Sequence, residues 1–237
     1  MITWLKDLNE TGTLPTKSDI LTVMRMPEMW DDRIKSRWYY LENYSFPLMT
    51  QEVAADMAKF FSGKTVLEVC AGSGYVAKCI KDVAGDDVTI ICTDNLDWEN
   101  NSQEDCYGAW RNHYIDIEAL DALEAIDKYG DQADYVMVSW PEYESPLAKQ
   151  ILEKCLEKKL PLVYIGEDWG GCTGDDSFFE LIEEKCEMLK ETITTNYLPF
   201  EGVHDRIWLI RPKQTGITTE QLHELYERRG MTGFIPV

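Results

Sequence analysis

From residue 51 onward, apolar runs of about five residues alternate with amphipathic stretches, a pattern that predicts a parallel sheet covered on both faces. Strands are predicted near 65–70, 88–93, 113–115 and 134–140, then at 162–166, 193–198 and 206–210. Helices are predicted near 51–61, 74–84, somewhere within 97–110, and near 118–129, 146–158 and 176–189. Thr50 caps the first helix and Gly63 closes it, while Leu120, Leu123 and Ile126 give the helix at 118–129 a buried stripe. Only Pro199 to Asp205 separates the last two strands, too short a stretch for a crossover helix, so they are predicted to be antiparallel neighbours. The expected fold class is α/β: a doubly wound, mostly parallel seven-stranded sheet with an antiparallel last strand. Residues 1–50, rich in Trp, Met, Tyr and Pro, read as an irregular, partly helical extension packed on this core. Residues 51–212 form the main domain, and residues 213–237 read as a surface tail with a polar helix near 218–229.

Composition narrows the picture. The 237 residues are 44% apolar, enough for one sizeable core. Lys and Arg total 23 against 43 for Asp and Glu, a net charge of −20. The pairs Lys158-Lys159 and Arg228-Arg229 are isolated, so no basic stripe offsets that charge and nucleic acid is disfavoured as a partner. The seven cysteines are scattered and never form a C-x-x-C pair, which points to a reducing compartment and no metal site. No long apolar span occurs, and Met1 to Asp7 lacks the basic start and apolar core of a secretion signal. A cytoplasmic or nuclear location away from membranes is expected, and nothing in the pattern encodes an oligomeric state.

The chemistry concentrates where the run Val66, Leu67, Val69 meets a glycine turn and then a helix. Glu68 puts a carboxylate near the end of that strand, and Gly72 and Gly74 let a ligand come close to the backbone. Asp94 ends the next strand, where a carboxylate can accept hydrogen bonds from both hydroxyls of a ribose. Gly72-Ser-Gly-Tyr-Val-Ala77 also satisfies the G-x-G-x-x-G/A dinucleotide pattern, with Asp94 twenty residues beyond Gly74, so an NAD(P)-dependent oxidoreductase stands as one reading.

Glu68-Val-Cys-Ala-Gly72-Ser-Gly74 resembles the first motif of the class I S-adenosylmethionine-dependent methyltransferases, with Cys70 in place of the first glycine. The resemblance implies a Rossmann-like methyltransferase fold and S-adenosylmethionine as cofactor. It places Glu68, Ala71, Gly72 and Gly74 around the methionine part, Asp94 at the ribose, and Asn95 and Leu96 beside the adenine. His113-Tyr-Ile-Asp116-Ile117 looks like the third motif, in which Asp116 and the Ile117 amide bind the adenine edge; Asp116 equally suits a cap for the helix at 118–129. Ser139-Trp-Pro-Glu142-Tyr143 is similar to the Asn/Asp/Ser-Pro-Pro-Tyr motif of amino-methylating enzymes. That similarity sets Ser139 against cofactor and target nitrogen and Tyr143 against the substrate ring, with Glu142 replacing the second proline.

A glycine-rich loop from Gly166 to Phe179, the Trp-Pro-x-Tyr strand end and a Gly-x-His-Asp turn together resemble a methyltransferase-like family of unestablished substrate. On this topology Glu142, Glu167, Asp168, His204 and Asp205 share one rim of the sheet. The implied reaction is direct methyl transfer to a small-molecule or peptide acceptor, with Glu142, Glu167 or His204 taking a proton where the acceptor carries one. Tyr39, Tyr40 and Tyr44 either roof the site or pack in the core, and Cys172 reads as structural. A non-catalytic S-adenosylmethionine-binding module stays open beside the oxidoreductase reading, because Cys70 and Glu142 depart from the family pattern.

Overall fold

The structure, a computed structural model, describes residues 2–100 and 112–213. The chain begins with three helices, α1 (Thr3–Thr11), α2 (Lys17–Met24) and α3 (Trp30–Asn43), so residues before 50 are more helical than their irregular pattern predicts. Helix α2 starts on a reciprocal cap between Thr16 and Asp19. Helix α4 (Gln51–Phe60) begins where predicted, with the Thr50 hydroxyl accepting the Val53 amide at 3.3 Å.

Alternation then follows: β1 (Thr65–Val69), α5 (Tyr75–Ala84), β2 (Thr89–Asp94), β3 (Glu118–Ala119), α6 (Ala122–Tyr129), β4 (Tyr135–Ser139), α7 (Leu147–Lys158), β5 (Leu162–Gly166), α8 (Asp176–Lys185), β6 (Cys186–Lys190) and β7 (Arg206–Pro212). The sheet order is β3-β2-β1-β4-β5-β7-β6. Neighbours from β3 to β5 run parallel, and β7 lies antiparallel between β5 and β6. The expected reversed last strand is therefore present.

Strand side chains point alternately to the two faces, which splits the core in two. Val66, Met137, Val163 and Leu209 face a layer formed by the amino-terminal helices, α4 and α5. Leu67, Val69, Val138 and Tyr164 face α6, α7 and α8. Among the described residues, no helix is long and apolar enough to cross a membrane, and no group of three or more His, Cys, Asp or Glu residues is arranged to hold a metal ion.

Three sequence expectations are corrected. The strand expected at 113–115 lies at Glu118–Ala119, paired with Thr93 and Asp94; the Tyr114 amide instead donates to the Ser73 carbonyl at 2.9 Å. Helix α6 starts at Ala122 and is capped by Asp121, whose carboxylate accepts the Leu123 amide at 2.8 Å, which removes the capping role from Asp116. Its buried side is Ala122, Ala125 and Ile126, while Leu120 and Leu123 are half-buried. Helix α8 stops at Lys185, and the edge strand is Cys186–Lys190, not 193–198. The edge of β7 is taken by Leu189 opposite Leu209 and Met188 opposite Ile210, whereas the side chains of Thr194 and Asn196 both donate to Asp56 of α4, at 2.6 and 2.9 Å. Of the helix expected within 97–110, a 3₁₀ turn at Asp97–Asn100 is seen and the remainder lies outside the described residues, as does the helix expected at 218–229.

Candidate functional site

After β1 the chain crosses to β2 on one side, and β4 joins β1 on the other, so the carboxyl ends of these strands open at a topological switch point. A cavity of about 190 Å³ sits there. Cys70 reaches it from β1, Asp94 and Asn95 from β2, and Ser139 to Glu142 from β4. Phe46 and Trp98 add aromatic wall, and Asp121, Ala122 and Leu147 complete the lining.

The backbone is strained at each of these three strand ends. Cys70 has φ +54°, Leu96 +57° and Trp140 +50°, all in the left-handed region that side chains larger than glycine rarely occupy. Cys70 thus keeps the glycine-like geometry of the position it fills. Trp140 stays in place because its amide donates to the Ile165 carbonyl at 2.7 Å, its indole N–H to Asp205 at 3.0 Å, and its ring stacks on Phe46 with centroids 5.2 Å apart and planes 14° from parallel. Among the described residues the Ser139 hydroxyl, buried beside the cavity, has no hydrogen-bond partner, the kind of orphan a bound polar group would satisfy.

Asp94 is nearly buried and already has donors on both oxygens. Oδ2 accepts the Gly72 amide at 2.8 Å; Oδ1 accepts the Leu96 amide at 2.8 Å and the Trp98 indole N–H at 3.0 Å. A carboxylate offers about four acceptor sites, so roughly one stays open. The Asn95 amide turns back on Asp97 through two hydrogen bonds, at 3.0 and 3.1 Å.

Other predicted residues lie elsewhere. Glu68 is buried under the turn, where it accepts the Cys92 thiol; burial first, with Asp94 adding to it, pushes its carboxyl up to about 8. It does not line the cavity. The Ala71 amide continues the ladder to Thr93 at 3.0 Å. Gly74 adopts φ +71° and is covered by the chain itself: a Cβ there would stand 2.5 Å from Ile115 Cγ2 and 3.2 Å from Ile117 Cδ1. This glycine serves close packing by the 113–117 segment, which corrects the expectation that it leaves room for a ligand. Asp116 and Ile117 border a separate open hollow with His113.

The catalytic candidates divide in the same way. Glu142 lines the cavity, and Tyr143, 55% exposed, does not. Glu167 and His204 come together, but through backbone: Glu167 is nearly buried, and its carboxylate accepts the His204 and Cys172 amides, both at 2.7 Å. The carboxylate thereby clamps the loop after β5 to the turn before β7. The His204 side chain is exposed. Tyr40 and Tyr44 are buried in an aromatic group with Tyr75 and pack as core.

Sequence reasoning missed Phe46 and Trp98 as parts of the site, and put Asp205 on the rim without giving it a role. Asp205 is 2% exposed and takes hydrogen bonds from Trp140 and from the Tyr197 hydroxyl at 2.5 Å, while its Oδ1 is unpartnered. Burial raises its carboxyl above the ordinary range. Phe46 offered no signal in the sequence.

No protein-family model and no curated protein sequence matches the chain. Among solved structures it is similar to TrmN from Thermus thermophilus, at 13% identity and TM-score 0.44, with 69% of this chain and 49% of that one covered, so it spans about half the length of the TrmN chain. It is also similar to human methyltransferase-like protein 13 in complex with SAH, at 12% identity and TM-score 0.43, covering 79% and 91% of the two chains. A third similar structure is a SAM-dependent O-methyltransferase from Thermotoga maritima, at 10% identity and TM-score 0.42, covering 72% and 68%.

Proposed function

We propose that this chain is an S-adenosylmethionine-dependent methyltransferase acting on a small-molecule or peptide acceptor. The observation that carries the reading is the cavity at the mouth of β1, β2 and β4, with the unpartnered Ser139 hydroxyl buried in its wall. The sheet order with β7 reversed between β5 and β6 agrees with the fold that the glycine-turn motif implies.

The residues present suit such a cofactor in kind. Asp94 has an acceptor site to offer a ribose hydroxyl, Trp98 and Phe46 offer flat apolar faces, and Ser139 offers an unused hydroxyl. Engaging both ribose hydroxyls requires the Trp98 indole to release Oδ1. At about 190 Å³ the cavity is below the roughly 300 Å³ at which ligand sites begin, so the same release is needed for volume. When bound, the cofactor supplies an electrophilic sulfonium methyl group. The contribution of the chain is to position the acceptor, and Glu142 at the mouth is placed to receive a proton from it.

A second reading has its own support. Of the four catalytic candidates only Glu142 reaches the cavity, which suits a module that binds the cofactor without turnover.

Calorimetric titration with S-adenosylhomocysteine and with NAD tests the proposal. Binding of S-adenosylhomocysteine is expected; tight NAD binding with no response to S-adenosylhomocysteine overturns it. A labelled methyl donor offered to metabolites, peptides and RNA then separates enzyme from binding module. RNA belongs in that screen because net charge is a whole-chain property and a basic groove is a local one.

A further inference from the structure

We infer that the β4 side of the cavity selects a cationic ligand, with Glu142 as its anchor and the Trp140 ring as its wall. As a statement about the methyl acceptor this rests on the function proposed above; as a statement about charge selection it is tested separately.

The described residues lining the cavity include three carboxylates, Asp94, Asp121 and Glu142, and no Lys, Arg or His. Two of the three are engaged by the chain: Asp94 holds three donors, and Asp121 caps α6. Glu142 is exposed and lines the cavity, and among the described residues it makes no hydrogen bond or ion pair. Among the described lining residues an anion meets only carboxylates, a neutral molecule gains little, and a cation gains from Coulomb attraction.

The aromatic wall acts in the same direction. Phe46, Trp98 and Trp140 line the cavity, with one face of Phe46 and one of Trp140 covered by their mutual stacking, and aromatic faces carry negative potential that attracts ammonium groups. The Trp140 indole N–H donates to the buried Asp205 carboxylate, and a donor bonded to a carboxylate leaves the ring richer in electrons. The indole therefore acts as a stronger cation acceptor than an unpaired one. The unpartnered Ser139 hydroxyl, in the same lining, can accept an N–H from that ligand.

Three probes of one shape and different charge test this: benzylammonium, benzyl alcohol and benzoate, titrated calorimetrically into the full chain with and without S-adenosylhomocysteine. The expected result is benzylammonium binding about tenfold tighter than benzyl alcohol, with benzoate weakest. Glu142→Gln, an exposed substitution that leaves the core intact, is expected to cut that preference about fivefold while leaving benzyl alcohol unchanged. Equal or reversed affinities, no binding of benzylammonium, or a preference that survives Glu142→Gln overturns the inference. If the charge preference holds and S-adenosylhomocysteine binds neither protein, the methyl-donor reading fails and the cation site stands. If S-adenosylhomocysteine binds and the preference is absent, the reverse holds.

Discussion

The indole nitrogen of Trp140, just after β4, donates to the carboxylate of Asp205, just before β7, across 65 residues of sequence and 3.0 Å of space. The same carboxylate oxygen accepts the Tyr197 hydroxyl, and among the described residues the other oxygen has no partner. Asp205→Asn keeps an acceptor in place for both donors and is expected to cost no more than about 1 kcal/mol. Asp205→Ala strands two buried donors at about 1–3 kcal/mol each. Urea unfolding of the two variants checks the contrast, and an alanine variant as stable as the asparagine one would show that the hydrogen bonds hold nothing.

Cys70 sits at φ +54° where glycine would be free of strain. A side chain in the left-handed region costs about 1–3 kcal/mol, partly offset by the greater freedom glycine has when unfolded. Burial pushes the Cys70 thiol up to about 12, so no reactive thiolate is lost by removing it. Cys70→Gly is expected to stabilise the protein by about 1 kcal/mol. A lower unfolding midpoint in the variant would mean that packing of the sulfur outweighs the strain.

These two residues also mark the reach of sequence reading. The β1 turn, β2 and β4 were legible because buried parallel strands are continuous apolar runs; Asp94, Asn95, Ser139 and Glu142, from the ends of β2 and β4, all line the cavity. Cys186 to Lys190 was not legible. Glu187, Met188, Leu189 and Lys190 include good helix formers and continue the helical pattern of α8, and only pairing with β7 makes them a strand. Glu167 and His204 were placed on the correct rim, but where a carboxylate finds its donors depends on loop geometry that no spacing rule encodes. Phe46 and Trp98 matter through a contact distant in sequence or through a single indole nitrogen, and periodicity carries no trace of either.

Gly74→Ala meets two costs at once. The residue has φ +71°, and its new Cβ would lie 2.5 Å from Ile115 Cγ2. The backbone penalty is about 1–2 kcal/mol, with the clash in addition. Ile115→Ala in the same chain removes the clash and leaves the backbone penalty, so the double variant is expected to lose less than the sum of the single variants. Additive losses in chemical denaturation would show that Ile115 does not press on Gly74.

Glu68 gives stability a pH dependence whose sign follows from its burial. Its carboxyl is pushed up to about 8 in the folded chain, by burial first and by the neighbouring Asp94, against an ordinary value of 4.5. Below 4.5 both states hold the proton and the group changes nothing. Between 4.5 and 8 the unfolded chain releases the proton while the folded chain keeps it, so protons are lost on unfolding and stability falls as pH rises. The slope approaches about 1.4 kcal/mol per pH unit and flattens above the folded value. Glu68→Gln carries no titrating group, so its stability relative to the parent is expected to rise by a few kcal/mol, on the order of magnitude of that slope, between pH 5 and 8. Urea melts at half-unit pH intervals give the difference curve directly. A flat curve would mean that Glu68 ionises in the folded chain near its ordinary value, which requires a cation or water chain reaching the floor of the glycine turn.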